Sequence, residues 1–295
     1  LRIAIIGGSG KMGQWFADFL RREGHQVVIS GRNPEKLREA GRQLGVATAS
    51  NEEAVKGADI VLLSVPIDTF ESVVKELSPH IQPDQVVADV TSVKVMPVAV
   101  MNRYLKTRHI LGTHPLFGPG AKSLAHQNFV LTSGDAEGAT LVAKAKTYLE
   151  ERGARVSVMT PAEHDKKMTI ILGLAHFIAL ISADTLLSSE GFRADEAIGG
   201  ITYKVLMTLV ESVLTEDPAL YAAIQMNLPD LPDAEKRLQE KARAWADMVV
   251  GKDRQGFVRR MNELKEKLRK DNPDFGKAYE AMYRIASEKQ GYFTS

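Results

Sequence analysis

Cysteine is absent from the chain, and its absence excludes disulfides, cysteine-ligated zinc and thiol catalysis, along with any residue-level sign of redox compartment. A surplus of one charge is missing too: 38 basic residues stand against 37 acidic ones, a formal net charge of +1. That balance points away from a nucleic-acid surface or a polybasic membrane face and toward a small-molecule substrate. There is no internal repeat, low-complexity tract or Gly/Ser linker. The opening Leu1-Arg2-Ile3-Ala4-Ile5-Ile6 runs straight into glycines, without the length or flanks of a signal peptide, so a cytoplasmic protein is expected. Met168 to Leu187 is about as long and apolar as a bilayer span, but His176, Ser182 and Asp184 interrupt it. A helix buried in protein is the expected outcome, not a membrane segment.

What is present is 295 residues with 44% hydrophobic content, enough for two domains with real cores. Ile3 to Ile6 reads as a short buried strand, followed by Gly8-Ser9-Gly10-Lys11-Met12-Gly13 and a helix with Met12, Phe16, Phe19 and Leu20 on one face. Strand, GxGxxG and helix in that order form a dinucleotide-binding fingerprint. Gly8 is assigned to the tight turn, Gly10 to close approach of the diphosphate and Gly13 to helix packing. The second strand, His25 to Ser30, ends without the acidic residue that would hold the ribose hydroxyls of NAD. Ser30-Gly31-Arg32 instead suits the 2′-phosphate of NADP, with NAD possible if Arg32 is only a solvated loop arginine.

Further strands are expected at Val46 to Ala49, Asp59 to Val65, Gln85 to Val90, Asn128 to Thr132 and Ala154 to Val158, with helices between them. Ligands in such sheets lie beyond the carboxyl ends of the strands. Val65-Pro66, Ser92 and His114 are therefore expected around one crevice. His114 lies in Gly112-Thr113-His114-Pro115-Leu116-Phe117-Gly118-Pro119, too rich in Gly and Pro for a strand interior, and is expected on a stiff loop where a neutral imidazole can accept a proton. A histidine making only a local hydrogen bond is the competing reading. Ser92 suits either a bond to a substrate oxygen or capping of the next helix, and Lys94 reads as a surface lysine.

The fold class is α/β, a Rossmann-type, mostly parallel, doubly wound sheet over residues 1–159, followed by an all-helical dimerisation domain over residues 160–295. Strand signals end at Pro161. One long helix is expected from Glu163 to Ser189, apolar nearly all round, as at a subunit interface. Others follow at Asp195 to Thr215, at Pro218 to Asn227 and, with amphipathic spacing, beyond Pro232. His176 reads by default as a satisfied core histidine. Lys204, next to Tyr203, is either a cation for a substrate carboxylate or a lysine snorkelling from a buried helix.

These residues together resemble the prephenate dehydrogenase family of tyrosine biosynthesis. The carriers are Gly7-Gly8-Ser9-Gly10-Lys11-Met12-Gly13, Asp89-Val90-Thr91-Ser92-Val93-Lys94, Thr113 to Pro119, Glu163-His164-Asp165, and Asp217-Pro218 with Leu220-Tyr221. The resemblance implies that His114 deprotonates the ring C4 hydroxyl of prephenate, with Ser92 bonded to the same oxygen. It further implies that His176 meets the substrate's carboxylate end and that Lys204 replaces the family's usual arginine. The all-round apolar character of Met168 to Leu187 separately predicts a homodimer through the helical halves. Read from the residues alone, two alternatives stay open: another two-domain NADP oxidoreductase of the β-hydroxyacid dehydrogenase type, and an NADP-sensing regulatory protein.

Overall fold

Short aliphatic runs separated by glycine and helix signals alternate through the first half of the chain, and each becomes a buried strand. The structure is a computed structural model that describes residues 1–132, 136–188 and 198–292. Its sheet consists of β1 (Arg2–Ile6), β2 (Gln26–Ser30), β3 (Ala47–Thr48), β4 (Ile60–Leu63), β5 (Val86–Asp89), β6 (Ile110–Pro115), β7 (Asn128–Thr132) and β8 (Arg155–Val158). The spatial order is β3-β2-β1-β4-β5-β6-β7-β8. The first six are mutually parallel, β7 runs antiparallel to β6, and β8 is parallel to β7.

Side chains alternate across this sheet, so each face needs its own cover. Ala4, Ile6, Val61, Leu63, Val87 and Ile110 form one core with α4 (Ile67–Leu77) and α5 (Val95–Tyr104). Ile3, Ile5, Val27, Ile29, Leu62, Leu111 and Leu131 form the other, with α1 (Lys11–Arg22), α2 (Pro34–Leu44) and α6 (Ala136–Glu150). The result is a doubly wound sheet. Local signals set the helix starts: Asn33 accepts from the backbone N–H groups of Glu35 and Lys36 ahead of α2, and Ser50 with Glu53 forms a capping box on α3 (Asn51–Val55).

From Pro161 the described residues are helical. α7 (Pro161–Met168) passes into a π-helical segment, Thr169–Leu174, and then α8 (Ala175–Leu187). The single helix expected from sequence is thus interrupted by a widened turn, and Ser189 lies outside the described residues. α9 (Ile201–Leu214), α10 (Pro218–Met226), α11 (Leu231–Val250), α12 (Arg254–Asp271) and α13 (Ala278–Tyr292) follow. The expected start of α9 at Asp195 also lies outside the described residues. Two compact units divide the chain: residues 1–168 with 222–229, and 169–221 with 230–295. α7 belongs with the sheet, because it packs on α5 and β7.

Pro161–Leu187 is, by length and composition, long and apolar enough to cross a membrane. Sequence reasoning expects this stretch to be buried. Within the single chain it is not: Ile170 is 52% exposed, Ile171 56% and Leu187 54%.

Candidate active site

The strand order reverses between β1 and β4, which opens a crevice at their carboxyl ends. The turn after β1 fills that point. Gly7 has φ +81°, and a Cβ there would collide with the Ser64 carbonyl at the end of β4. The left-handed residue of the turn is therefore Gly7; spacing alone assigns this role to Gly8. A Cβ on Gly8 would instead lie 2.5 Å from the Cβ of Ile29 on β2, so Gly8 answers to packing. Gly13 seats α1 on the turn, since its Cβ would lie 2.5 Å from the Gly7 carbonyl oxygen. Gly10 caps α1 with no side-chain bond, and no acidic residue occupies the first turn beside exposed Lys11 and half-buried Met12. Open N–H groups at a helix start, with backbone close enough to touch, fit a nucleotide diphosphate.

Around this loop, Ser9 lies against Gly31, where a Cβ would strike its hydroxyl. Ser30 is fully buried; its hydroxyl donates to Asn51 Oδ1 at 2.7 Å and its carbonyl accepts from Gly8 N–H at 2.8 Å. Ser30 thus holds the glycine turn in place. Arg32 is exposed and makes no ion pair among the described residues. Val65 is half-buried and Pro66 exposed as the cap of α4, both at the end of β4.

His114 departs from its expected setting. It lies inside β6, opposite Val130 of β7, in a strand whose six residues are all buried. Pairing with β7 and burial override a composition that reads as loop. Its ring meets His164 of α7, with His114 Nδ1 and His164 Nε2 2.8 Å apart. His164 Nδ1 in turn lies 2.7 Å from Asp165 Oδ1. Asp165 also accepts from the backbone N–H groups of Lys94 (2.7 Å) and Val95 (2.9 Å), so a carboxylate from α7 caps the start of α5. Capping α5 is therefore not the work of Ser92, which is half-buried with no side-chain bond among the described residues. Burial first, then His164 and the Lys94 charge, hold the His114 pKa well below 6.5, which keeps the imidazole neutral at neutral pH.

Lys94 is the largest correction to the sequence reading. It is not on the surface but fully buried, with its ammonium on Asp89 Oδ1 and 3.1 Å from Thr91 Oγ1. Thr91 donates to the same carboxylate oxygen from its hydroxyl at 2.6 Å and from its backbone N–H at 2.9 Å. Gly112 on β6 makes room, since a Cβ there would lie 3.3 Å from Lys94 Cδ. Desolvation lowers the Lys94 pKa, opposed by the charge and hydrogen bond of Asp89 and the charge of Asp165.

In the helical unit, His176 on α8 is half-buried, and its ring lies 4.4 Å from that of Tyr221 on α10, tilted by 46°. Its Nδ1 is buried with no hydrogen-bond partner among the described residues, so it is not a satisfied core histidine. Tyr203 packs on Ala183, Met207 and Val210, and Lys204 is exposed on α9.

Comparison with known proteins completes the picture. Residues 16–158 match the family model "Prephenate dehydrogenase, nucleotide-binding domain", and residues 160–263 match "Prephenate dehydrogenase, dimerization domain". A "Probable arogenate/prephenate dehydrogenase" of Methanocaldococcus jannaschii is 35% identical over 89% of this chain, which spans 60% of that relative's length. A "T-protein" of Haemophilus influenzae is 28% identical over 98% of this chain and 73% of its own. Among solved structures, prephenate dehydrogenase from Aquifex aeolicus superposes with a TM-score of 0.74 at 25% identity, covering 90% of this chain and 98% of its own. With both halves matched in order, the first over a span that includes His114, the chain belongs to the prephenate dehydrogenase family, whose members are nicotinamide-dependent oxidoreductases.

Proposed function

We propose that the chain is an NADP-dependent prephenate dehydrogenase that converts prephenate to 4-hydroxyphenylpyruvate in tyrosine biosynthesis, with arogenate as the alternative substrate. The observation that carries this reading is His114, buried at the carboxyl end of β6 on the same sheet edge as the glycine turn. β6 is three strands from β1, about 14 Å at ordinary strand spacing, so a small ring beyond the ends of β4 and β5 lies between His114 and the glycine turn. His114 accepts the proton of the ring C4 hydroxyl, and the hydroxyl of Ser92, without a side-chain bond among the described residues, bonds to the same oxygen. A bound nicotinamide would supply the acceptor for hydride from C4, with the ring carboxylate lost as carbon dioxide as the ring becomes aromatic. His176 and Lys204, with Tyr203 beside it, hold the substrate's carboxylate end. Lysine there offers a point charge in place of an arginine's planar fork. Mixing the protein with prephenate or arogenate and with NADP or NAD, and following reduced nicotinamide, tests this reading. Fastest turnover with prephenate and NADP is expected; no reduction in any combination overturns it.

The cofactor preference rests on the missing acidic residue after β2 and on Arg32 beside the glycine turn. Arg32→Ala weakens NADP by about 1.5–3 kcal/mol, the worth of hydrogen bonds between charged groups, and leaves NAD nearly unaffected. Titration of the two cofactors checks it; equal losses would remove Arg32 from the 2′-phosphate.

The exposed isoleucines of the α7–α8 stretch support a homodimer through the helical halves, which would bury them. Such an interface exceeds about 2,000 Å² in total and makes the lone protomer unstable. Light scattering at micromolar concentration then gives twice the 32.4 kDa chain mass; a monodisperse monomer contradicts it.

A further inference from the structure

We infer that His164 and Asp165 form a positioning relay that fixes the tautomer of His114, so that Nε2 of His114 is the atom that takes the substrate proton. This inference rests on the reading of His114 as the base. With both rings uncharged, the chain of hydrogen bonds runs in one direction. Asp165 accepts from two backbone N–H groups and faces His164 Nδ1 at 2.7 Å; a carboxylate only accepts, so His164 carries its proton on Nδ1. Nε2 of neutral His164 is then a lone pair, and the group 2.8 Å away, His114 Nδ1, must donate to it. With Nδ1 protonated, neutral His114 has its lone pair on Nε2. All three side chains are buried, so no bulk water competes for these bonds: His114 is 4% exposed, His164 0% and Asp165 2%.

The same relay serves the charged state. When Nε2 takes the hydroxyl proton, the ring becomes a cation that still donates from Nδ1 to His164, with the Asp165 carboxylate one ring further back. A carboxylate that orients a histidine base and stabilises its imidazolium is the logic of serine-hydrolase triads, lengthened here by one imidazole. The other charged groups near His114 are Lys94 and Asp89, which pair with each other. Burial, His164 and Lys94 all oppose protonation of His114, which adds to the demand for a negative partner. Asp165 thereby does two jobs, capping α5 and setting the proton order of two histidines fifty positions apart.

The test has a readout independent of turnover. Nitrogen-15 NMR of the histidine rings in the intact, ligand-free protein at neutral pH is expected to show His114 with its proton on Nδ1 and a bare Nε2. A ring protonated on Nε2 overturns the relay. In kinetics, His164→Leu removes the acceptor and lowers kcat by about tenfold to a hundredfold with KM and NADP affinity nearly unchanged, whereas His164→Gln, whose amide oxygen can accept from Nδ1–H, restores most of it. A folded His164→Leu protein with wild-type kcat also overturns the relay. If that variant fails to fold, the NMR assignment and His164→Gln decide. Failure of the base reading is separately visible: His114→Asn would then keep its turnover whatever tautomer the wild-type ring shows.

Discussion

His114→Asn lowers turnover by about two to four decades while nucleotide binding is unchanged. Asparagine keeps a hydrogen bond to the C4 hydroxyl but cannot take its proton, so the loss falls on kcat, and KM moves little. Stopped-flow formation of reduced nicotinamide and equilibrium NADP titration separate the two effects; near-normal turnover would remove His114 from the chemistry. The pH dependence has a fixed sign. Because burial, His164 and Lys94 depress the His114 pKa, the acid limb of kcat/KM lies below the ordinary histidine value of 6.5. Linkage gives the same direction for stability. The unfolded chain binds a proton near 6.5 that the folded ring refuses, so the contribution of His114 is fully present above that pH and is lost as pH falls toward the folded pKa.

Asp89→Ala destabilises the fold by about 3–5 kcal/mol, because it leaves the Lys94 ammonium fully buried without its carboxylate. Two hydrogen bonds from Thr91 are lost as well. The double variant Asp89→Leu with Lys94→Met removes both charges and recovers much of that loss, since desolvation of the pair offsets most of its attraction. Urea unfolding of the single and double variants checks this. A double variant as unstable as the single one would show that the ion pair is not what Asp89 contributes.

Most of the fold was legible because periodicity and punctuation carry it: aliphatic runs of four to six residues, GxGxxG between strand and helix, and Asp217-Pro218 ahead of α10. The nucleotide turn was legible in type but not in detail. Which glycine takes positive φ depends on Ser64, a residue far along the chain that packs against Gly7. His114 was found as a residue and misplaced as structure, because Gly112 and Pro115 read locally as loop while the pairing with β7 is nonlocal. Lys94 was missed for a related reason. A lysine is exposed by default, and nothing adjacent announces that Asp89, Thr91 and the bare Cα of Gly112 enclose it. Glu163-His164-Asp165 carried the resemblance, yet its contact with His114 comes only from α7 packing on α5 and β7. His176 moved the other way: its Nδ1 is buried without a hydrogen-bond partner among the described residues, which the helix pattern does not show.

The central claim is that oxidation at C4 and loss of the ring carboxylate are one catalysed event that needs the His114 base. Incubation with prephenate carrying a labelled ring carboxylate, in the presence of NADP, tests it most directly. The account expects labelled carbon dioxide and reduced nicotinamide to appear one for one in the wild-type protein and to fall together in His114→Asn. Reduced nicotinamide without carbon dioxide, or release of both at the wild-type rate from the variant, would contradict it.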